Sequence, residues 1–322
     1  MSVVGDKLPW VLVGVLAVAV IAMAAGATGA GPLDPPAPAA GPTGTQKTQN
    51  QIEPRTPISS LPFAISAPGS YYLTSSLTGV SGQNGITINA SNVTLDLDGF
   101  TLTGGPGSWD GIVAPTGGGQ RGITVHNGHV RAWGSSGLQL TAARTVTIHH
   151  VTTESNGGYG IAAGQGSLVH DCGTHNNGLG GVLADWGSVV RHCTSSNNAG
   201  IGFDVSGELS NCDATDNNSH GIQIWGSVSD CKSTSNGTHG VRVIGDGSRL
   251  DGVLASFNTG AGIFLEVTRD GVLILQSNAF QNGKGIDIDS AGNLVIASGA
   301  RGNTTANLEI APGNTLIDTV AY

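Results

Sequence analysis

Three short stretches of this chain set imidazoles beside other charged groups: His149 and His150 in "IHHV", His170 and Asp171 in "VHDC", and Arg191 and His192 in "VRHC". Imidazoles titrate near neutral pH, so next to a carboxylate they can pass protons as general acid and base or ligate a divalent metal. The fourth copy, Ser210 and Asn211, carries no such group. A second set follows glycine on alternating stretches: Asp185, Asp204, Gln223, Trp225, Arg242 and Glu266, with Leu183, Ser206, Ile244 and Phe264 among them. Acids, an amide, an arginine and exposed rings are the groups that read sugar hydroxyls and stack on sugar faces. Each set also fits a plain reading, as solvated turns or as an ordinary mixed surface. The elements that carry the two sets decide whether either one converges.

Those elements repeat. "SLVHDCGTHNN" begins at Ser167 and "SVVRHCTSSNN" at Ser188. The motif is a hydrophobic residue, two free positions and a small or apolar residue. It gives Leu97/Phe100, Val125/Val130 with a longer turn, Ile148/Val151, Val169/Cys172, Val190/Cys193, Leu209/Cys212, Val228/Cys231, Leu250/Val253, Ile274/Ser277 and Val295/Ser298. From Val151 onward the second members are 21, 21, 19, 19, 22, 24 and 21 residues apart, and an asparagine stands five residues beyond each: Asn156, Asn177, Asn198, Asn217, Asn236, Asn258, Asn282 and Asn303.

A glycine and an alternating strand follow each asparagine: "GIAA", "GVLA", "GFDV", "GIQI", "GVRV", "GIFL", "GIDI". Period-2 alternation places Ile161, Val182, Phe203, Ile222, Val241, Ile263 and Ile286 on one inward face. A unit of this size cannot bury its own apolar face, whereas stacked copies share a continuous core. The fold expected is all-β, a parallel solenoid with three short strands per coil.

Stacking explains the cysteines and asparagines. Cys172, Cys193, Cys212 and Cys231 hold the place of Val151 and Val253. Neighbouring strands are about 4.8 Å apart, but stacked Cβ vectors run parallel rather than converging, which favours buried free thiols over disulfides. An asparagine repeated at one turn tolerates a left-handed backbone and can link its amide to the next along the stack. The column reads as scaffold.

Composition supports a turn-rich β protein. Of 322 residues, 11% are charged, 5% are aromatic and 52 are glycine, too apolar for disorder and too glycine-rich for helices. Net charge is −9, and after residue 84 there are 10 Lys/Arg against 19 Asp/Glu. With no basic face, nucleic acid is not the expected partner. Residues 1–30 hold an uncharged apolar run starting at Leu8, with small triplets such as Ala25-Gly26-Ala27. It reads as a signal peptide or a membrane anchor, since both length criteria are met. Either way the chain is expected outside the cytoplasm: secreted, periplasmic or at the cell surface. Membrane contact is expected only through this segment, if it is retained. Residues 31–57 contain seven of the thirteen prolines and read as a linker, 58–84 as an N-terminal cap and 85–322 as the solenoid.

The short coils, the glycine-led strand and the turn asparagine resemble right-handed parallel β-helix proteins of the pectate-lyase-like superfamily. Within it, the likeness is to bacterial repeat proteins related to the periplasmic copper-processing protein NosD and to carbohydrate-binding and sugar-hydrolysing modules. The entry segment "ISAPGSYYLTSSLTG" resembles the start that precedes the first coil in such proteins. The resemblance implies a single-stranded right-handed parallel β-helix of about ten coils of 19–24 residues. It implies a polysaccharide partner, and it leaves a divalent metal such as calcium open as a cofactor.

Pectate lyases of this superfamily hold calcium with several aspartates and use a basic residue; polygalacturonases set clustered aspartates beside a Gly-His-Gly-like segment. "SHGIQI" at Ser219 and "THGVRV" at Thr238 look like that segment, but the matching strands lack the aspartate pairs. Asp96 and Asp98 share one face and Asp287 and Asp289 another, near opposite ends of the solenoid. They cannot form one glycosidase pair, which needs carboxyls about 5–10 Å apart. Coils this short leave no long insertions to wall a cleft. An open surface favours a polysaccharide binder or structural module over a lyase, hydrolase or epimerase working through the His149, His150, His170, Asp171, Arg191 and His192 corner. A metal-handling role is the third expectation.

Overall fold

The computed structural model describes residues 54–321. The apolar segment read as signal peptide or anchor, and the linker up to residue 53, lie outside the described residues. Within them the chain winds into a parallel β-solenoid of about 12 turns, and no helix occurs among the described residues.

Each turn contributes to three ladders. The first runs from Arg55–Ile58 through Gly69–Leu73 and Val93–Asp96 to Thr315–Ile317, the second from Leu77–Thr78 to Val320–Ala321, and the third from Phe63–Ile65 to Ala306–Ile310. Pairing starts at Arg55, which lies opposite Ser70, so residues 58–84 are wound into the opening turns. These turns carry no ladder asparagine and so do not show in the repeat.

The glycine-led strands form the third ladder. Ile161 pairs with Val182, Val182 with Phe203 and Phe203 with Ile222, and every one of these side chains is fully buried. The first ladder adds Leu95, Val125, Ile148, Val169, Val190 and Leu209 to the same core. The parallel register removes apolar area from water on every rung, the main favourable term in such a stack.

Near the start, the register differs from the repeat motif. Val125 lies between Leu95 and Ile148, and Val151 lies opposite Gly128. The first members are therefore Leu95 and Val125, and the partner of Val125 in the motif is Gly128, not Val130. The turn after Asp96 is longer by two residues, with Asp98 (φ 50°) and Gly99 (φ 76°) both left-handed.

The asparagine column is a buried amide ladder. Nδ2 of Asn156 donates to Oδ1 of Asn177 at 3.0 Å, and the same bond recurs from Asn177 to Asn198, Asn198 to Asn217, Asn217 to Asn236, Asn236 to Asn258 and Asn258 to Asn282 at 2.9–3.0 Å. Each Oδ1 also accepts the backbone N–H of the preceding asparagine. The left-handed residue is not the ladder asparagine but the one before it, such as Asn176, Asn197 or Asp216. The ladder also explains the glycine that follows. A Cβ on Gly221 would lie 2.0 Å from Ser233 Oγ and 2.5 Å from Asn236 Nδ2, a space already filled by the groups that close the turn.

The four cysteines are free and buried. They do more than fill the core. Cys193 N–H donates to Cys212 Sγ and Cys212 N–H to Cys231 Sγ, both at 3.4 Å; further along, Ser277 and Ser298 accept the same backbone bond at 3.2 Å. Sulfur there does the work of a hydroxyl.

Candidate functional site

The first predicted set lies on the outer side of the first ladder, where the chain turns toward the second. His149 pairs with His170 and His170 with Arg191. The stacking extends one coil further back than the motif indicates. His126 lies over His149 with ring centroids 4.9 Å apart and planes 1° from parallel, and His149 lies over His170 at 5.0 Å and 7°. Carboxylates bracket the column. Asp96 stands 3.6 Å from His126 Nδ1 and is paired with Arg55; Asp171 Oδ2 meets His170 Nδ1 at 2.7 Å, and His192 Nδ1 stands 3.7 Å from the other oxygen.

The backbone explains much of this corner. His150, Asp171, His192 and Asn211 all have φ of 51–54°, the left-handed turn that lets one strand leave for the next. His150 meets His149 through their Nδ1 atoms at 2.9 Å. Burial and the facing His126, His170 and His150 push His149 down, while the hydrogen bond from His170 holds Asp171 below the usual carboxylate range. Parallel stacked rings do not aim at one point, and no group of three or more metal-ligating side chains converges among the described residues.

The second set lies on the outer side of the third ladder, in one register. Leu183, Asp204, Gln223, Arg242 and Phe264 are successive partners, and Ser206 pairs with Trp225. The polar members are bonded into a row. Gln223 Nε2 donates to Asp204 Oδ1 at 3.1 Å, Arg242 Nη1 donates to Gln223 Oε1 at 2.8 Å, and Arg242 Nε donates to Glu266 Oε1 at 2.8 Å. Burial pushes the Asp204 carboxyl up, against the opposing pull of Gln223 and Arg242.

Two histidines omitted from that set stand on the same face. His220 and His239 stack at 5.2 Å, and His239 stacks on Phe264 at 4.4 Å. Burial, then the charges of His239 and Arg242, push His220 down to about 4; His239 is pushed down by burial and Arg242. Both lie in the "SHG" and "THG" segments, so the signal was present in the sequence. Further along, Lys284 bonds Asp287 at 2.8 Å and Glu309 at 3.0 Å.

Trp186 is a further residue that the sequence reading missed, as it missed His126. The first half of the pairing ends at Ala184 opposite Val205 and resumes at Ser188 opposite Gly207, so the 185–187 turn bulges. With Gly187 at φ 70°, the bulge carries Trp186 outward to meet Trp225, ring centroids 4.7 Å apart and planes at 62°. Asp185 is spent locally, accepting the Trp186 N–H at 2.8 Å. Both indoles stay exposed, at 51% and 40%.

The histidine corner and the Asp204 row therefore belong to different ladders, and neither lies in the recess of about 490 Å³ formed near Leu254, Phe280 and Arg301 on the second ladder.

Residues 84–236 match the family model described as "Right handed beta helix region". No curated protein matches the sequence. Among solved structures the chain is similar to the A-module of the mannuronan C-5 epimerase AlgE4 from Azotobacter vinelandii, at 16% identity and TM-score 0.55, covering 79% of this chain and 87% of that one. The A-module of AlgE6 from the same organism aligns at 14% identity and TM-score 0.56, covering 83% and 90%. The tailspike protein of E. coli bacteriophage HK620, solved with a pentasaccharide, aligns at 12% identity and TM-score 0.50, covering 79% of this chain and 60% of the tailspike. At these identities the likeness concerns the fold.

Proposed function

We propose, from the premise that this chain is a right-handed parallel β-helix, that it is an exported protein which binds polysaccharide along the outer face of the third ladder. One observation carries the reading: four polar side chains from four successive coils, Asp204, Gln223, Arg242 and Glu266, are bonded into a fixed row parallel to the axis. Such a row presents preoriented donors and acceptors at strand spacing, with little rotamer freedom left to lose on binding. Flanking rings of His220, His239 and Phe264 give it apolar faces. The solved relatives named for a mannuronan epimerase and for a pentasaccharide complex support a glycan as ligand. Among the described residues no walls rise over this face, which supports binding rather than water-excluding chemistry.

Acid-base catalysis on the same face is the second reading, and the environment of Asp204 favours it. A carboxyl raised by burial, one coil from a neutral histidine, is a proton donor and acceptor pair of the kind glycan-cleaving or epimerising sites use.

Retention of the purified protein on a panel of immobilised polysaccharides, with release of reducing or unsaturated ends recorded in parallel, tests both. Retention without product, lost in Arg242→Ala, is the expected result. Product that disappears in Asp204→Asn while retention persists establishes the enzyme. Retention unchanged in Arg242→Ala and Gln223→Ala overturns the assignment of this face.

A further inference from the structure

The cations on the third-ladder face are already committed. Arg242 gives Nε and Nη2 to Glu266 and Nη1 to Gln223. Lys284 is held between Asp287 and Glu309. At the neighbouring turn, Arg269 is 3.5 Å from Asp246 and donates to the Ile244 carbonyl. Among the described residues, Asp185, Asp204 and Asp289 of this face stand in no ion pair. The surface is thus net acidic, with its cations already neutralised, and a carboxylate or sulfate polymer laid along it would meet net repulsion.

At the edge of this face stands the indole pair. Trp225 is wedged between coils, because a Cβ on Gly245 would fall 2.3 Å from its Cδ1, and Trp186 closes on it from the other side. Packed against each other, both rings still leave large areas in water. Holding two tryptophans half exposed costs hydrophobic stabilisation, and single scattered rings do not form such a pair.

We propose that Trp186 and Trp225 form a stacking subsite for a neutral polysaccharide, which continues from the indoles onto the Asp204–Gln223–Arg242–Glu266 row; this rests on the reading of that row as the glycan-binding face. The C–H-rich faces of neutral sugar rings pack on indole, and their hydroxyls pair with carboxylate and amide groups without adding charge. The side chains that would meet hydroxyls here are mostly acceptors: Asp185, Asp204 and Glu266.

Affinity electrophoresis and tryptophan fluorescence, with soluble β-glucan, xylan and galactomannan set against alginate and polygalacturonate, test the proposal. Each is run with calcium and with chelator. Retardation and quenching by at least one neutral glycan, little changed by salt, are expected, and Trp186→Ala and Trp225→Ala should each weaken it roughly tenfold. Trp225→Phe should keep most of the affinity, and circular dichroism should show both alanine variants folded. Binding of the polyuronates alone overturns the neutral-glycan proposal while leaving the glycan-binding face intact. Neutral binding unaffected by either alanine variant overturns the indole subsite. No binding to any polymer overturns this proposal and the glycan reading together.

Discussion

His220 and His239 stand one coil apart with their rings 5.2 Å apart and 7° from parallel, and each turns Nδ1 to a backbone amide: His239 N–H at 3.4 Å for the first and Ala261 N–H at 3.0 Å for the second. Nδ1 of His239 is therefore an acceptor, so the proton of its neutral ring sits on Nε2, while Nδ1 of His220 also meets the Thr238 hydroxyl at 2.7 Å.

The pair makes stability depend on pH. Burial, with the charges of His239 and Arg242, holds His220 down to about 4, whereas the unfolded chain titrates near 6.5. Below about pH 6.5 the unfolded state takes up a proton that the folded state refuses, so this part of the stability is whole above that pH and falls as the pH drops toward 4. Melting temperature followed from pH 7 to pH 4 should fall, and His220→Gln should flatten the slope. An unchanged slope would mean that His220 protonates freely in the fold.

Thiol reagent should label almost nothing in the native protein and four thiols after denaturation without reductant, matching the four free cysteines. Two or fewer labelled thiols would show that bridges form.

Replacing Phe203, fully buried on the third ladder, with Asp should unfold the protein or lower its melting point by many degrees, because an unpaired carboxylate would stand between coils. Asn217→Leu should cost about 3 kcal/mol or more in urea unfolding, since it strands the Asn198 backbone and side-chain donors that now share Asn217 Oδ1. Wild-type stability in either variant would refute the register.

The histidine corner has its own test. Asp171 sits at φ 54°, so Asp171→Gly should be tolerated, while Asp171→Val should cost about 1–2 kcal/mol from backbone strain alone. With glycan retention on the third ladder unaffected by both, the corner is a turn. Loss of retention in Asp171→Gly would make it part of the binding surface.

The parts legible in the sequence are those that each coil must repeat. Asn177 and Asn198 have to occupy one place to bond, and Val182 and Phe203 one place to stack, so identical spacing follows from the geometry. Departures from the repeat are where legibility ends. The two additional residues around Asp98 and Gly99 hide the true partner of Val125, and with it the place of His126 and Asp96 at the foot of the imidazole column. The bulge at 185–187 likewise sends Trp186 across a coil to Trp225, a contact that no fixed spacing predicts. His220 and His239 were visible, but their neutrality depends on burial and on Arg242, which only the assembled face supplies.

Between side-chain amides, every link in the asparagine column runs from Nδ2 to the Oδ1 of the higher-numbered coil, while Nδ2 of residues such as Asn198 and Asn217 also donates back to a backbone carbonyl of the lower one. The column is thus a polarised wire with a direction, in which each link is strengthened by the dipoles of its neighbours. The ladder bonds join only adjacent coils. An interruption at Asn217 would therefore act as a domain wall, leaving two shorter cooperative blocks that melt separately, whereas the same change at Asn303 would only fray an end. Position along the axis, rather than chemical identity, then sets how much one asparagine matters.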